Sequence, residues 1–237
     1  MRLFIKFILI MSVLFVVSCS ESNTENNQYP KATYLDELYK YTKTKENDFP
    51  GKLIMENEKG VLSVSSCSEY LDNLADYNVV ESDENMHMQL YYLQCIAGEL
   101  QKVANDAKFS LFDGELSNLV INNLDLTTFR SSLRRKLTEG TNTFNALKYD
   151  YSHSDKQVTV VSANWKYDFI LLARGDYDSD GFEELMVLFI DQSLSSSYYS
   201  SDLLLLHKKK SDLLWRASES IKLINSLKGT EGLKNDQ

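Results

Sequence analysis

Two apolar runs flanking an acidic, glycine-bearing stretch constrain this chain more than anything else in it. The first, Trp165-Lys166-Tyr167-Asp168-Phe169-Ile170-Leu171-Leu172-Ala173, is rich in aromatic and branched side chains, and the second, Leu185-Met186-Val187-Leu188-Phe189-Ile190, is apolar throughout. Such side chains suit a pleated, buried surface, so both runs are read as strands. Between them lies Asp176-Tyr177-Asp178-Ser179-Asp180-Gly181-Phe182-Glu183-Glu184, in which Asp and Gly favour a turn. The predicted unit is a hairpin whose turn concentrates negative charge.

Alternating carboxylates followed by a glycine point into one concavity, and oxygen donors crowded this way suit Ca²⁺. Asp176, Asp178 and Asp180 fill positions one, three and five of such a loop. Gly181 takes the sharp turn, Phe182 offers its backbone carbonyl at position seven, and Glu184 falls at position nine, as a direct ligand or through water. Position twelve is Val187, which cannot ligate, and the flanks are not helical, so the pattern argues against a true EF-hand. It resembles instead the DxDxDGxxD/E strand-loop-strand hairpins of FG-GAP type repeats, over roughly residues 165 to 191. One copy is present, whereas a propeller needs several blades, so the resemblance implies calcium ligation and not an architecture. The alternative is an acidic turn without an ion; against it, four carboxylates with Glu183 beside them repel one another unless a cation intervenes. The expected cofactor is a structural calcium ion, held at about 10⁻⁴ to 10⁻³ M as in extracellular modules.

The N-terminus points to a compartment. Arg2 and Lys6 accompany an apolar run, Leu3 through Val17, too short for a comfortable membrane span and ending in small residues; residues 1–18 therefore read as a signal peptide. Val16-Val17-Ser18-Cys19 resembles the lipobox of bacterial lipoproteins. The resemblance implies that Cys19 is lipidated and becomes the mature N-terminus, and Ser20 implies outer-membrane sorting, facing the periplasm, in a Gram-negative host. The alternatives are an uncleaved helix or an ordinary secretory signal with a chance cysteine. Each buried acyl CH₂ contributes about 0.8 kcal/mol, so such an anchor needs no transmembrane helix. Residues 19–30 hold almost nothing a core could use and read as the lipidated cysteine and a flexible tether, leaving 31–237 as a single α+β domain.

The formal net charge of −9 becomes more negative still when Arg2 and Lys6 leave with the leader. Such a field repels nucleic acid and attracts cations and basic protein partners. With Cys19 assigned to lipid, Cys67 and Cys95 are the remaining cysteines, and an oxidising periplasm joins them. A bridge of that span stabilises by about 3 to 4 kcal/mol on the chain-entropy model. The alternative is a pair of buried thiols.

Hydrophobic spacing is helical up to about residue 140 and alternates beyond it. Helices are predicted over 34–41, 67–77, 84–108 and 126–137; the longest places Met88, Tyr91, Tyr92, Cys95, Ile96, Leu100 and Val103 on one stripe, so the disulfide clamps two helices. The last of the four carries a basic cluster, Arg130, Arg134, Arg135 and Lys136, which is read as an anionic-ligand or partner site against the alternative of a solvated face. Strands follow around Leu147 to Tyr151 and Val158 to Val161, then the acidic hairpin, then 203–207 and 213–216, making an antiparallel meander of five or six strands before a short helix near Ser220 to Leu227. The fold expected is α+β, N-terminal helices packed on a C-terminal antiparallel sheet. Ser195-Ser196-Ser197-Tyr198-Tyr199-Ser200 has the composition of adaptable binding loops, and Tyr198 and Tyr199, expected near the acidic hairpin, are read as partner contacts, the alternative being an ordinary flexible loop.

No nucleophile motif, phosphate loop or metalloprotease signature occurs, and His87, His153 and His207 lack ligand spacing. The expectation is therefore a non-enzymatic lipoprotein, binding and inhibiting a periplasmic protein partner such as a toxin, in the manner of immunity lipoproteins. The alternative is an envelope assembly or anionic-ligand-binding lipoprotein.

Overall fold

The computed structural model describes residues 32–33, 51–80, 82–135, 137–138 and 140–220. The signal peptide, Cys19, the tether and the helices expected at 34–41 and beyond Ser220 lie outside the described residues. The fold is mixed α+β, with an antiparallel sheet in its C-terminal half as the sequence predicts. The strands of that sheet are β5 (Asp150–His153), β6 (Gln157–Val161), β7 (Trp165–Gly175), β8 (Glu184–Ser193), β9 (Tyr199–His207) and β10 (Arg216–Glu219). They run in the order β10-β9-β8-β7-β6-β5, and each neighbour in sequence is a neighbour in space. A short β1 (Ala32–Thr33) joins the same edge of β7 that carries β6, further along, at Arg174 and Ala173.

The middle strands are buried on both faces, and this divides the core into two layers. One face of β7, β8 and β9, with Ile170, Leu188 and Leu203, receives Tyr92, Ile96 and Leu100 of the long helix α2 (Asp83–Val103) and Tyr70 and Leu71 of α1 (Cys67–Asn73). The opposite face, with Phe169, Val187 and Leu204, receives Leu119, Val120, Leu124, Phe129 and Leu133 from an irregular stretch, together with Phe144 of a one-turn helix α4 (Phe144–Leu147). That stretch contains the single turn α3 (Leu116–Asn118), continuing into a π-helical turn (Leu119–Asn123). Parity along β7 changes at a bulge between Leu171 and Ala173, so Leu172 and Ala173 both face the α2 layer and Arg174 turns to the other side. A bulge inserts one residue and re-aims those after it.

Cys67 and Cys95 are joined, with Cα atoms 5.3 Å apart, and clamp α1 to α2. Ser66 caps α1 by accepting the Glu69 N–H, while Glu69 accepts the Ser65 N–H, and Ser82 caps α2 by accepting the Asn85 N–H.

Three elements differ from the sequence reading. The region expected to be helical contains a small sheet, β3-β2-β4, formed by β2 (Leu53–Asn57), β3 (Gly60–Val64) and β4 (Asn78–Val79). Its turn is Glu58-Lys59, and Gly60 adopts φ of 143°, a conformation open to glycine. Buried Asn85 acts as a surrogate strand partner: its Oδ1 accepts the Ile54 N–H, and its Nδ2 donates to the Ile54 and Val80 carbonyls. Removing it would leave two part-buried backbone groups unpaired, the Ile54 N–H and the Val80 carbonyl, while the Ile54 carbonyl would keep the Val80 N–H, at a cost of about 1 to 3 kcal/mol each. Next, α2 ends at Val103 rather than near Lys108, because Ala104 is extended and Asn105 exchanges both backbone hydrogen bonds with Asp176. Finally, 126–137 is not an α-helix. Its backbone donors are committed elsewhere: the Leu126 N–H to the Asn142 carbonyl, the Thr127 N–H to Asp125, and the Ser132 N–H to buried Asp191. Among the described residues of this span, only a 3₁₀ turn, Ser132–Arg135, remains.

Candidate metal centre

Gly175 pairs with Glu184, so residues 176–183 close the β7–β8 hairpin. The loop is built from carboxylates accepting its own N–H groups. Asp178 Oδ1 accepts the Asp180 N–H at 3.0 Å, Asp180 Oδ1 accepts the Phe182 N–H at 2.8 Å, Asp176 Oδ2 accepts the Gly181 N–H at 3.0 Å, and Glu184 Oε2 accepts the Tyr177 N–H at 2.6 Å. Each bond fixes a carboxylate by one oxygen and leaves the other. The turn requires φ of 65° at Ser179 and 89° at Gly181, and only glycine takes such values without strain.

One oxygen of each of Asp176, Asp178, Asp180 and Glu184 lies within 4.8 Å of the others. Asp176 and Glu184 are buried, whereas Asp178 and Asp180 are exposed. Asp176 Oδ1 is buried and has no hydrogen-bond partner. A buried carboxylate oxygen left without a donor is costly, and a cation satisfies it. The all-oxygen, carboxylate-rich donor set fits a hard cation. Burial pushes the Glu184 carboxyl up to about 8, with Asp178, Asp176 and Asp180 adding to the shift, and burial also raises Asp178. In both, the neighbouring carboxylates add to the effect of burial.

Glu183 does not join this cluster. It is buried on the other side, where Arg174 holds it through Nε at 2.9 Å and a terminal nitrogen at 3.0 Å, and Ser110 Oγ donates to it. The bulge that turned Arg174 aside makes this pairing possible.

The loop is gripped from outside by a strap, residues 104–112, that follows α2. Asn105 pairs with Asp176, the Lys108 and Phe109 N–H groups both donate to the Gly181 carbonyl, and Phe109 accepts the Glu183 N–H. Phe109 and Phe182 stack with ring centres 5.4 Å apart, and the Tyr177 hydroxyl donates to Gln101 of α2. The helical spacing that predicts a helix over 84–108 covers the first half of this strap and gives no sign of it.

The remaining site residues are scattered. Tyr198 and Tyr199 sit at the far end of β8 from the acidic loop, and a ten-residue strand separates the two ends by roughly 30 Å. Tyr198 is exposed and packs edge-on to Trp165 at 5.3 Å, while Tyr199 opens β9 and is half-buried. Arg130 and Arg134 are exposed on the irregular layer, and Arg135 closes its 3₁₀ turn. The structure thus brings together Asp176, Asp178, Asp180 and Glu184, adds the backbone of Phe182 beside them, and leaves the tyrosines and arginines apart from them.

Comparison with known proteins returns no match: no family model fits the chain, and no curated protein or solved structure is similar to it at a significant level.

The raised Glu184 carboxyl sets a pH dependence. A carboxyl whose folded value lies above its ordinary 4.5 stabilises the fold below that pH, and this contribution is lost as pH rises towards 8. Without added cation, the urea midpoint is expected to fall between pH 4.5 and 8. Calcium, which binds the ionised form, is expected to reverse that fall at the upper end.

Proposed function

We propose that this protein is a non-catalytic, lipid-anchored binding module of the bacterial envelope, stiffened by a structural calcium ion. The observation that carries the calcium part is the orphaned, buried Oδ1 of Asp176, a residue whose carboxylate groups with three others. Phe182 would add its carbonyl, as the loop pattern implies. The ion would supply the charge that Asp176, Asp178, Asp180 and Glu184 lack, and through Gly181 and Asn105 it would fix the strap and the end of α2.

The lipid anchor is assigned to Cys19, from Val16-Val17-Ser18-Cys19. A disulfide between Cys67 and Cys95 accords with an oxidising compartment. The partner is an envelope-directed protein, such as a toxin, that this module masks. Trp165, Tyr198 and Leu194, which is 52% exposed, form an apolar, aromatic end suited to it.

All described contacts fall within residues 32–220, so a chain of residues 20–237 retains them. Titrated with calcium by calorimetry, that chain is expected to bind one ion at about 10⁻⁴ to 10⁻³ M with a raised melting temperature. The Asp178→Ala and Asp180→Ala double variant is expected to lose both effects while still folding, because both positions are exposed. Absence of heat and of any melting shift in the parent chain removes the calcium centre.

For the partner, cells lacking this protein are expected to be killed by neighbouring siblings that secrete the matching toxin. Unchanged survival in such a mixed culture sinks the inhibitor reading.

A further inference from the structure

We propose that the end of the sheet carrying the acidic loop docks on an anionic phospholipid surface. Three connections converge there: the strap after α2, the acidic loop, and the turn between β9 and β10. The strap and the β9–β10 turn project apolar and basic side chains beside the exposed acids Asp106, Asp178 and Asp180. Phe109 is 49% exposed and stacks on Phe182, and the ammonium of Lys210 lies 5.2 Å from the Phe109 ring centre. Lys208, Lys209 and Lys210 share the β9–β10 turn with Leu213, which is 90% exposed, and Lys208 Nζ donates to the Leu213 carbonyl.

A leucine standing that far out of a lysine-bearing turn, with an exposed phenylalanine on the adjoining connection, has the form of an interfacial insertion. Apolar side chains reach the boundary between headgroups and acyl chains while ammonium groups meet headgroup charge. These residues project from separate turns rather than forming the broad, continuous patch that a protein interface uses.

The course of the chain points the same way. β1 is antiparallel to β7 and pairs Ala32 with Arg174, so the N-terminal end of β1 lies at the loop end. Cys19 lies thirteen residues before Ala32, which a chain spans in at most about 45 Å. On the lipoprotein reading, on which this step rests, the anchor therefore draws this end towards the bilayer and leaves the Trp165 and Tyr198 end facing away. The exposed Asp178 and Asp180 oppose approach to anionic headgroups until a cation neutralises them, so docking requires calcium.

The test uses residues 20–237, without lipid, sedimented with vesicles of phosphatidylcholine alone or with phosphatidylglycerol added, in millimolar calcium or in chelator. Sedimentation is expected only with the anionic vesicles in calcium. Partitioning is expected to fall about tenfold in Leu213→Ser, and more in the Lys209→Glu and Lys210→Glu double variant, with calcium heats unchanged. Calcium heat without sedimentation overturns the docking surface and leaves the calcium centre standing. Equal sedimentation with both vesicle types, or no effect of either variant, also overturns it. Sedimentation with anionic vesicles in chelator overturns the calcium requirement, and with no calcium heat it also removes the calcium centre.

Discussion

Strands β7, β8 and β9 carry apolar side chains on both faces, and neither face can be left to water. Burying them requires two covering layers, and the chain supplies unlike ones. α1 and α2, which precede the sheet in the chain, are joined by Cys67 and Cys95 and cover one face as a linked pair. The other face takes the irregular stretch around Leu119 to Leu133, in which the Leu126, Thr127 and Ser132 N–H groups are met by Asn142, Asp125 and Asp191 rather than by helical carbonyls. An irregular segment tolerates burial only where such partners exist.

The acidic loop is a consequence of how those layers meet. The bulge at Leu171 to Ala173 turns Arg174 towards the irregular layer, where it neutralises Glu183. That leaves Asp176, Asp178, Asp180 and Glu184 grouped together, with no ion pair to any of them among the described residues. The strap that follows α2 then binds the loop backbone at Asp176 and Gly181. Helix, strap and loop share hydrogen bonds, so any ion held by the carboxylates acts on the end of α2 as well.

The parts of this arrangement that were legible in the sequence are those with local causes. The hairpin followed from two strand-forming runs around an Asp and Gly turn, the stripe on α2 from its spacing, and the disulfide from cysteine count and compartment. What could not be read locally was set by distant partners. Phe129, Leu133 and Leu137 have helical spacing, but Asp191, far away in sequence, takes the Ser132 N–H and breaks the helix. α2 stops at Val103 because Asp176 offers Asn105 a better partner than the next helical turn does. Glu183 was counted among the crowded carboxylates because sequence shows neither the bulge nor Arg174 beside it. The β2–β3 hairpin was within reach, since Asn57 and Gly60 flank a two-residue turn. The separation of the tyrosines from the acidic loop was also arithmetic once β8 was recognised as ten residues long.

The central claim is that one cation holds the acidic loop and the strap as a unit. Amide hydrogen exchange at Gly181 and Phe182 in the loop, and at Lys108 and Phe109 in the strap, tests it most directly with and without calcium. The account predicts that all four amides slow together when calcium is added, because the strap amides donate to the Gly181 carbonyl. Slowing confined to the loop, or no change at either place, would contradict it.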